Sequence, residues 1–146
     1  MLICDISITH KYGKLALDAL LSPLHLCWQE MVVLLVLHES PEAPQSLLNQ
    51  LLQTDKGNVT KLLKRMEENN LVKRDVNKQD NRRKDNALTE KGARLIPALN
   101  KALADWESLC FEGLTPEEIS VFNKASCTIM NNTMHHMKQT AKEETI

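Results

Sequence analysis

One stretch constrains the fold more than any other: residues 55–92, which begin D-K-G-N-V-T-K-L-L-K-R-M-E-E-N-N-L-V-K-R and continue through Q-D-N-R-R-K-D-N-A-L-T-E-K-G. Val59, Leu62, Leu63 and Met66 recur at i, i+3, i+4 and i+7, which predicts one amphipathic helix. Lys56, Gly57, Asn58, Thr60, Lys61 and Lys64 fall on its other face, a set of donors and small residues suited to approaching a polyanion. Asp55 is placed to cap the first turn, where backbone N–H groups lack helical partners. Asn69-Asn70 is the expected stop, because Asn tolerates the left-handed conformation that ends many helices. Beyond it, residues 71–74 read as a short strand and residues 77–84 as a polar turn with a basic tip. Ala87 and Leu88 belong to the return strand, and Thr89 caps the next helix. A helix followed by a hairpin with a basic tip is a recognition helix plus a wing.

Charge supports this reading. Residues 54–94 hold 12 of the 18 Lys and Arg but only 7 of the 19 Asp and Glu, a balance of +5 that leaves −6 on the rest. The overall −1 therefore hides a basic segment in an acidic body, an electrostatic footprint for nucleic acid. One lysine-bearing helix could simply solvate its outer face. A basic helix and a basic hairpin tip in the same segment favour duplex DNA as partner.

At 146 residues a single domain is expected, and because the chain is only 3% aromatic, Leu, Val, Ile and Met must supply its core. Asp5 follows Met1-Leu2-Ile3-Cys4 at once, so no secretory signal is expected. The longest apolar run, residues 31–37, is far short of a membrane span, and a cytoplasmic chain is anticipated. Cys4, Cys27, Cys110 and Cys127 are scattered and give no zinc-ribbon or disulfide spacing. His38-Glu39 and His135-His136 are adjacent pairs that point to different helix faces, so no metal site is expected. No phosphate-binding Gly loop or nucleophile elbow occurs, and no enzyme or cofactor is expected.

In chain order, residues 1–21 read as a helix interrupted by Ser22-Pro23. A nearly all-apolar helix from Trp28 to about His38 is the expected centre of the core. Pro41 and Pro44 punctuate a turn. A short helix over residues 45–52 should point Leu47, Leu48, Leu51 and Leu52 inward, and with the next helix it makes a helix-turn-helix. From Thr89 a long helix places Ile96, Leu99, Leu103, Trp106 and Cys110 on one stripe. Pro97 should kink it or start it late. Thr115, Pro116 and Glu118 form a capping box, with Leu114 able to staple to Ile119. The last helix should run to about Lys138, with Ile119, Phe122, Ala125, Ile129 and Met130 marking its apolar side, and a frayed tail. The terminal helices have apolar faces and no third layer, so a twofold homodimer is expected to bury them. The predicted class is mainly α with a small β-hairpin wing. A dimerisation helix (1–23) precedes a winged helix-turn-helix domain (24–89), and dimerisation helices follow (90–146).

These residues resemble the MarR family of bacterial winged-helix regulators, by motif over about residues 24–95 and by helix order elsewhere. The wing pattern D-x-R, L-T and a downstream Gly is present as Asp80-Asn81-Arg82, Leu88-Thr89 and Gly92. The run from Val59 through Met66 to Leu71-Val72 is similar to the family's recognition helix and first wing strand. The resemblance implies a homodimeric DNA-binding regulator, usually a repressor, on a pseudo-palindromic operator. It places Arg82 in the minor groove with Asp80 shaping the wing, and Arg83 and Lys84 beside them. Lys56, Gly57, Asn58, Thr60, Lys61 and Lys64 would face the major groove, with Asn58 suited to adenine. It also implies release by a small phenolic or lipid-like effector, for which Tyr12, His25, Trp28 and Met31 fall in the lining segments. Gln53 and Thr54 stand where the family has Gly and an aliphatic, Asn49 where it has Ala, and Asn70 where it has Gly. Asn86 replaces an apolar wing residue, which predicts a short or frayed return strand. Cys27 replaces the Ser or Thr that caps the second helix, where a helix N-terminus would lower its pKa. Two alternatives remain: a protein-interaction dimer on this scaffold without operator binding, and a redox-sensing regulator acting through Cys4 or Cys27.

Overall fold

The computed structural model describes residues 1–41, 43–76 and 84–143. Six α-helices and one hairpin follow in order: α1 (Leu2–Leu21), α2 (Trp28–Glu39), α3 (Gln45–Leu52), α4 (Lys56–Glu68), β1 (Val72–Val76), β2 (Lys84–Leu88), α5 (Glu90–Cys110) and α6 (Pro116–Glu143). A single 3-10 turn, Ser22–Leu24, joins α1 to α2 and ends with His25 in the left-handed region at φ 56°. The chain divides into two compact units, Met1–Glu107 and Ser108–Ile146.

The first unit is built around α2. Val33, Leu34 and Leu37 are fully or almost fully buried, as expected for a helix apolar on most sides. Leu17 and Leu21 of α1, Leu48 and Leu52 of α3, the inner stripe of α4, and Ile96, Leu99 and Ala102 of α5 complete the core. Leu51, expected to point inward, is 48% exposed: α3 is only two turns long and buries a narrower stripe than its four leucines suggest.

The start of α2 is held from α1, and α1 in turn is tied to α5. The Asp18 carboxylate of α1 accepts the Trp28 N–H at 2.7 Å. Trp106 of α5 donates its indole N–H to the Gly13 carbonyl of α1 at 2.8 Å. That contact keeps Trp106 half-buried while Cys110, one turn further on and expected on the same stripe, is exposed. Helix α5 begins at Glu90 and runs unbroken through Pro97, so the proline does not delay its start.

The hairpin is antiparallel, with Val72 opposite Leu88, Arg74 opposite Asn86 and Val76 opposite Lys84. Side chains alternate faces along a strand, so the Val72–Leu88 and Arg74–Asn86 pairs share one side, on which Val72 and Asn86 are buried. The strands are longer than the sequence suggests: β1 reaches Val76, and Lys84 begins β2 rather than ending the turn. Asn86 is not frayed but fully buried in mid-strand, with neither amide atom hydrogen-bonded. The wing tip that carries Asp80, Arg82 and Arg83 lies outside the described residues.

In the second unit the predicted capping box forms. Glu118 accepts from the Thr115 N–H at 2.8 Å, and Thr115 Oγ1 accepts from the Glu118 N–H at 3.3 Å. Phe111 meets Phe122 edge to face, ring centroids 5.8 Å apart. Helix α6 continues to Glu143, about one turn past the expected end at Lys138. Val121, Phe122, Met130 and Met137 remain exposed along it. Among the described residues, no single helix is long and apolar enough to cross a membrane, and no group of His, Cys, Asp or Glu could hold a metal ion.

Candidate nucleic-acid interface

Helix α4 divides as its periodicity requires. Val59, Leu62, Leu63 and Met66 are buried, while Lys56, Gly57, Asn58, Thr60, Lys61 and Lys64 are exposed. The burial fixes the helix's rotation about its own axis and so aims all six outward together. Asp55 caps the helix by accepting the Asn58 N–H at 2.9 Å.

The same cap positions Asn58. Its amide donates to Asp55 Oδ2 at 2.7 Å and to Thr54 Oγ1 at 3.3 Å, which holds it at the helix start. Gln45, the first residue of α3, donates to the Lys56 carbonyl at 3.3 Å and to Thr60 Oγ1 at 2.9 Å. This pair of bonds locks the two helices of the helix-turn-helix together at their N-termini. The turn needs Gln53 in the left-handed region at φ 49°, where the Gly of the family pattern would sit without strain. Lys64 is 3.8 Å from Glu68, an exposed pair of little energetic weight.

The other end of α4 is joined to the start of α5. Asn70 adopts φ 57°, the left-handed stop that its residue type allows. Thr89 donates its hydroxyl to the Asn70 carbonyl at 2.6 Å, accepts the Gly92 N–H at 3.0 Å and gives its own N–H to the Leu71 carbonyl at 3.1 Å. Lys91 reaches the Asn69 carbonyl at 2.9 Å. A Cβ on Gly92 would stand 2.2 Å from the Leu71 carbonyl oxygen. The Leu-Thr-x-x-Gly spacing is thus the geometry that seats the wing and the recognition helix on α5.

Two residues that sequence reasoning missed complete this face. Arg65 and Gln29 join Thr54, Asn58, Lys61 and Leu62 around a polar concavity of about 370 Å³ between the start of α2 and α4. Arg65 lies four residues after Lys61 and seven after Asn58, so the periodicity that selected those two also reaches it. Its partner, Glu30 of α2, is 3.2 Å away and could not be read from spacing, because the pairing spans 35 residues. Glu30 also accepts the Cys27 N–H at 3.0 Å.

Cys27 does occupy the N-cap of α2, but its thiol is pushed above the ordinary thiol range rather than below it. Burial is the main cause. The Glu30 backbone N–H opposes it, and the Glu30 charge reinforces it. Burial, with the carboxylate at the third helical position adding to it, therefore overrides the lowering expected from the helix N-terminus.

The four residues expected near an effector differ in exposure. Met31 is buried in the core, and Trp28 is half-buried with the Lys14 ammonium 4.1 Å from its ring centroid. Tyr12 is 60% exposed, and His25 is exposed in the turn before α2. None of the four lines the concavity beside α4, nor the apolar one formed in the second unit by Leu114, Val121 and Phe122 with Glu117 and Glu118.

A sequence model of the MarR family matches residues 26–84, the interval from the turn before α2 to the start of β2. Comparison with curated proteins gives no match. Among solved structures, the crystal structure of MarR is 25% identical, with a TM-score of 0.82 and 95% of each chain covered. A putative MarR family transcriptional regulator from Listeria monocytogenes, complexed with 26mer DNA, is 22% identical, with a TM-score of 0.82 and coverage of 89% of this chain and 87% of that one. A cysteine-to-serine mutant of MarR from E. coli, complexed with operator DNA, is 22% identical, with a TM-score of 0.78 and coverage of 85% and 89%. Residues 26–84 are thus similar to the MarR family, and the chain shares the winged-helix fold of the solved MarR structure.

Proposed function

We propose that the protein is a homodimeric DNA-binding transcriptional regulator, acting as a repressor. The observation that carries this reading is the outer face of α4. Lys56, Gly57, Asn58, Thr60, Lys61 and Lys64 are all exposed on a helix whose opposite side is fixed in the core. Exposed donors on a rigid helix suit the major groove, where base edges and flanking phosphates can be reached together. Two structures of this fold that were solved with DNA support the same reading.

In the proposed mode α4 enters the major groove, and Arg82, with Arg83 and Lys84 beside it, reaches the minor groove from the wing. Asp80 holds the tip in shape. A twofold dimer would present two such helices to successive turns of a pseudo-palindromic duplex, about 34–36 Å apart. The apolar residues that α1 leaves exposed, among them Leu2, Ile3, Ile6, Ile8 and Leu15, support such a pairing, as do those along α6. Release by a small phenolic or lipid-like effector near Tyr12, His25, Trp28 and Met31 belongs to the same proposal.

The test is fluorescence anisotropy against duplex DNA from upstream of the protein's own coding sequence. Arg82→Ala is expected to weaken binding by roughly 1–3 kcal/mol if the wing reads the groove. An unchanged affinity would remove Arg82 from the interface.

A further inference from the structure

Glu30 stands out among the described residues as a buried charge, 6% exposed, that faces the recognition helix. Both its oxygens are committed. Oε2 accepts the Cys27 N–H at 3.0 Å, while Oε1 accepts from Arg65 Nε at 3.2 Å and stands 3.2 Å from Nη2 as an ion pair. A carboxylate tied at both ends cannot turn away, so the guanidinium it grips is held along its Nε edge. The Arg65 side chain is nonetheless 56% exposed and lines the polar concavity with Asn58 and Lys61. Nη2 also donates to Cys27 Sγ at 3.9 Å, and the remaining N–H donors of the planar fork are left for an acceptor outside the protein.

We propose that Glu30 is a positioning residue for DNA binding. It holds Arg65 as a forked phosphate donor at the α2 side of the recognition helix. The inference rests on the DNA-binding reading above. Charge and geometry make opposite predictions for Glu30. As a negative charge near the DNA it opposes binding, so neutralising it should leave affinity intact or raise it. As a support for Arg65 it promotes binding, so shortening it should lower affinity although the charge is kept. The second effect is assigned the larger share because two guanidinium nitrogens stand 3.2 Å from one carboxylate oxygen, whereas the carboxylate side chain is only 7% exposed to any phosphate outside.

The experiment uses the full chain and a duplex that the parent selects from a random-sequence pool, with affinity read at several salt concentrations. Arg65→Ala should weaken binding about tenfold and make the salt slope shallower by about one per chain. Glu30→Asp, too short to reach Arg65, should weaken binding about as much, while Glu30→Gln should stay within about threefold of the parent. In the Arg65→Ala background Glu30→Asp should have no further effect. Arg65→Lys, which keeps the charge and loses the fork, should also bind about tenfold more weakly and tests the idea without disturbing α2.

Parental affinity in Glu30→Asp or in Arg65→Lys overturns the proposal. So does a Glu30→Asp loss that persists undiminished in the Arg65→Ala background, since Glu30 would then act only through the start of α2. A parent that selects no duplex and shows no salt-dependent binding overturns the DNA-binding reading together with this one. A parent that binds while the variants match it overturns this one alone.

Discussion

At the scale of single residues, two positions show how much a side chain depends on what stands opposite it. Gly92 is required by proximity rather than by backbone conformation, since an added Cβ would meet the Leu71 carbonyl oxygen at 2.2 Å and Leu34 Cδ2 at 3.3 Å. Backbone on one side and core on the other leave little room to yield. Gly92→Ala is expected to lower stability by about 1–3 kcal/mol, seen as a lower urea midpoint with an unchanged m-value. An unchanged midpoint would mean that α5 shifts freely against the wing. Asn86 is the opposite case, a polar group where the fold has no use for one. It is fully buried, and both amide atoms lack partners, as does the buried Nε of Arg74 across the strand. Asn86→Leu, of similar size and apolar, should raise stability by about 1 kcal/mol. A loss of stability would mean that Asn86 has a partner in solution, such as a bound water. Gly92 was legible in the sequence only as part of a spaced pattern, and the carbonyl that demands it is visible only in the fold. Asn86 was legible as a departure, but its consequence was not: the sequence predicts a frayed strand, and the ladder forms around it.

At the scale of elements, caps and stripes were the most legible features because they are local. Asp55, Asn70, Thr89 and the Thr115–Glu118 box all do what their residue types predict within a few positions of themselves. Asp55→Ala should destabilise the protein by about 1 kcal/mol, because the first turn of α4 loses its acceptor. It should also weaken DNA binding, since Asp55 Oδ2 holds the Asn58 amide at 2.7 Å. A variant that unfolds earlier but binds DNA with parental affinity would show that Asn58 is positioned by something else. What the sequence could not convey is contact between distant segments. Gln45 to Thr60, Glu30 to Arg65 and Trp106 to Gly13 join residues 15, 35 and 93 positions apart. These bonds fix how α4 sits on α2 and α3, and α5 on α1. Arg65 was within reach of the helical periodicity and was missed because its partner Glu30 was not visible in the sequence, and the Cys27 pKa was predicted in the wrong direction because burial is set by the fold.

At the scale of the whole molecule, the basic segment 54–94 in an acidic chain is the property from which function follows. The fold gives it a purpose by burying one side of α4 and leaving the charged side outward. The chain's apolar excess lies elsewhere, on α1 and along α6, where exposed Leu, Ile, Val, Phe and Met side chains favour a second copy as partner. Dimerisation would double the number of phosphates each DNA-bound unit neutralises. Electrostatic contacts release condensed counterions, so affinity must fall with salt in proportion to their number. The most direct test is the slope of log affinity against log salt for the parent protein on duplex DNA. A slope steeper than about −4 is expected for two chains that each place several basic side chains on phosphates. A slope near zero would contradict a DNA-binding role for the outer face of α4 and leave the scaffold as a protein-interaction dimer.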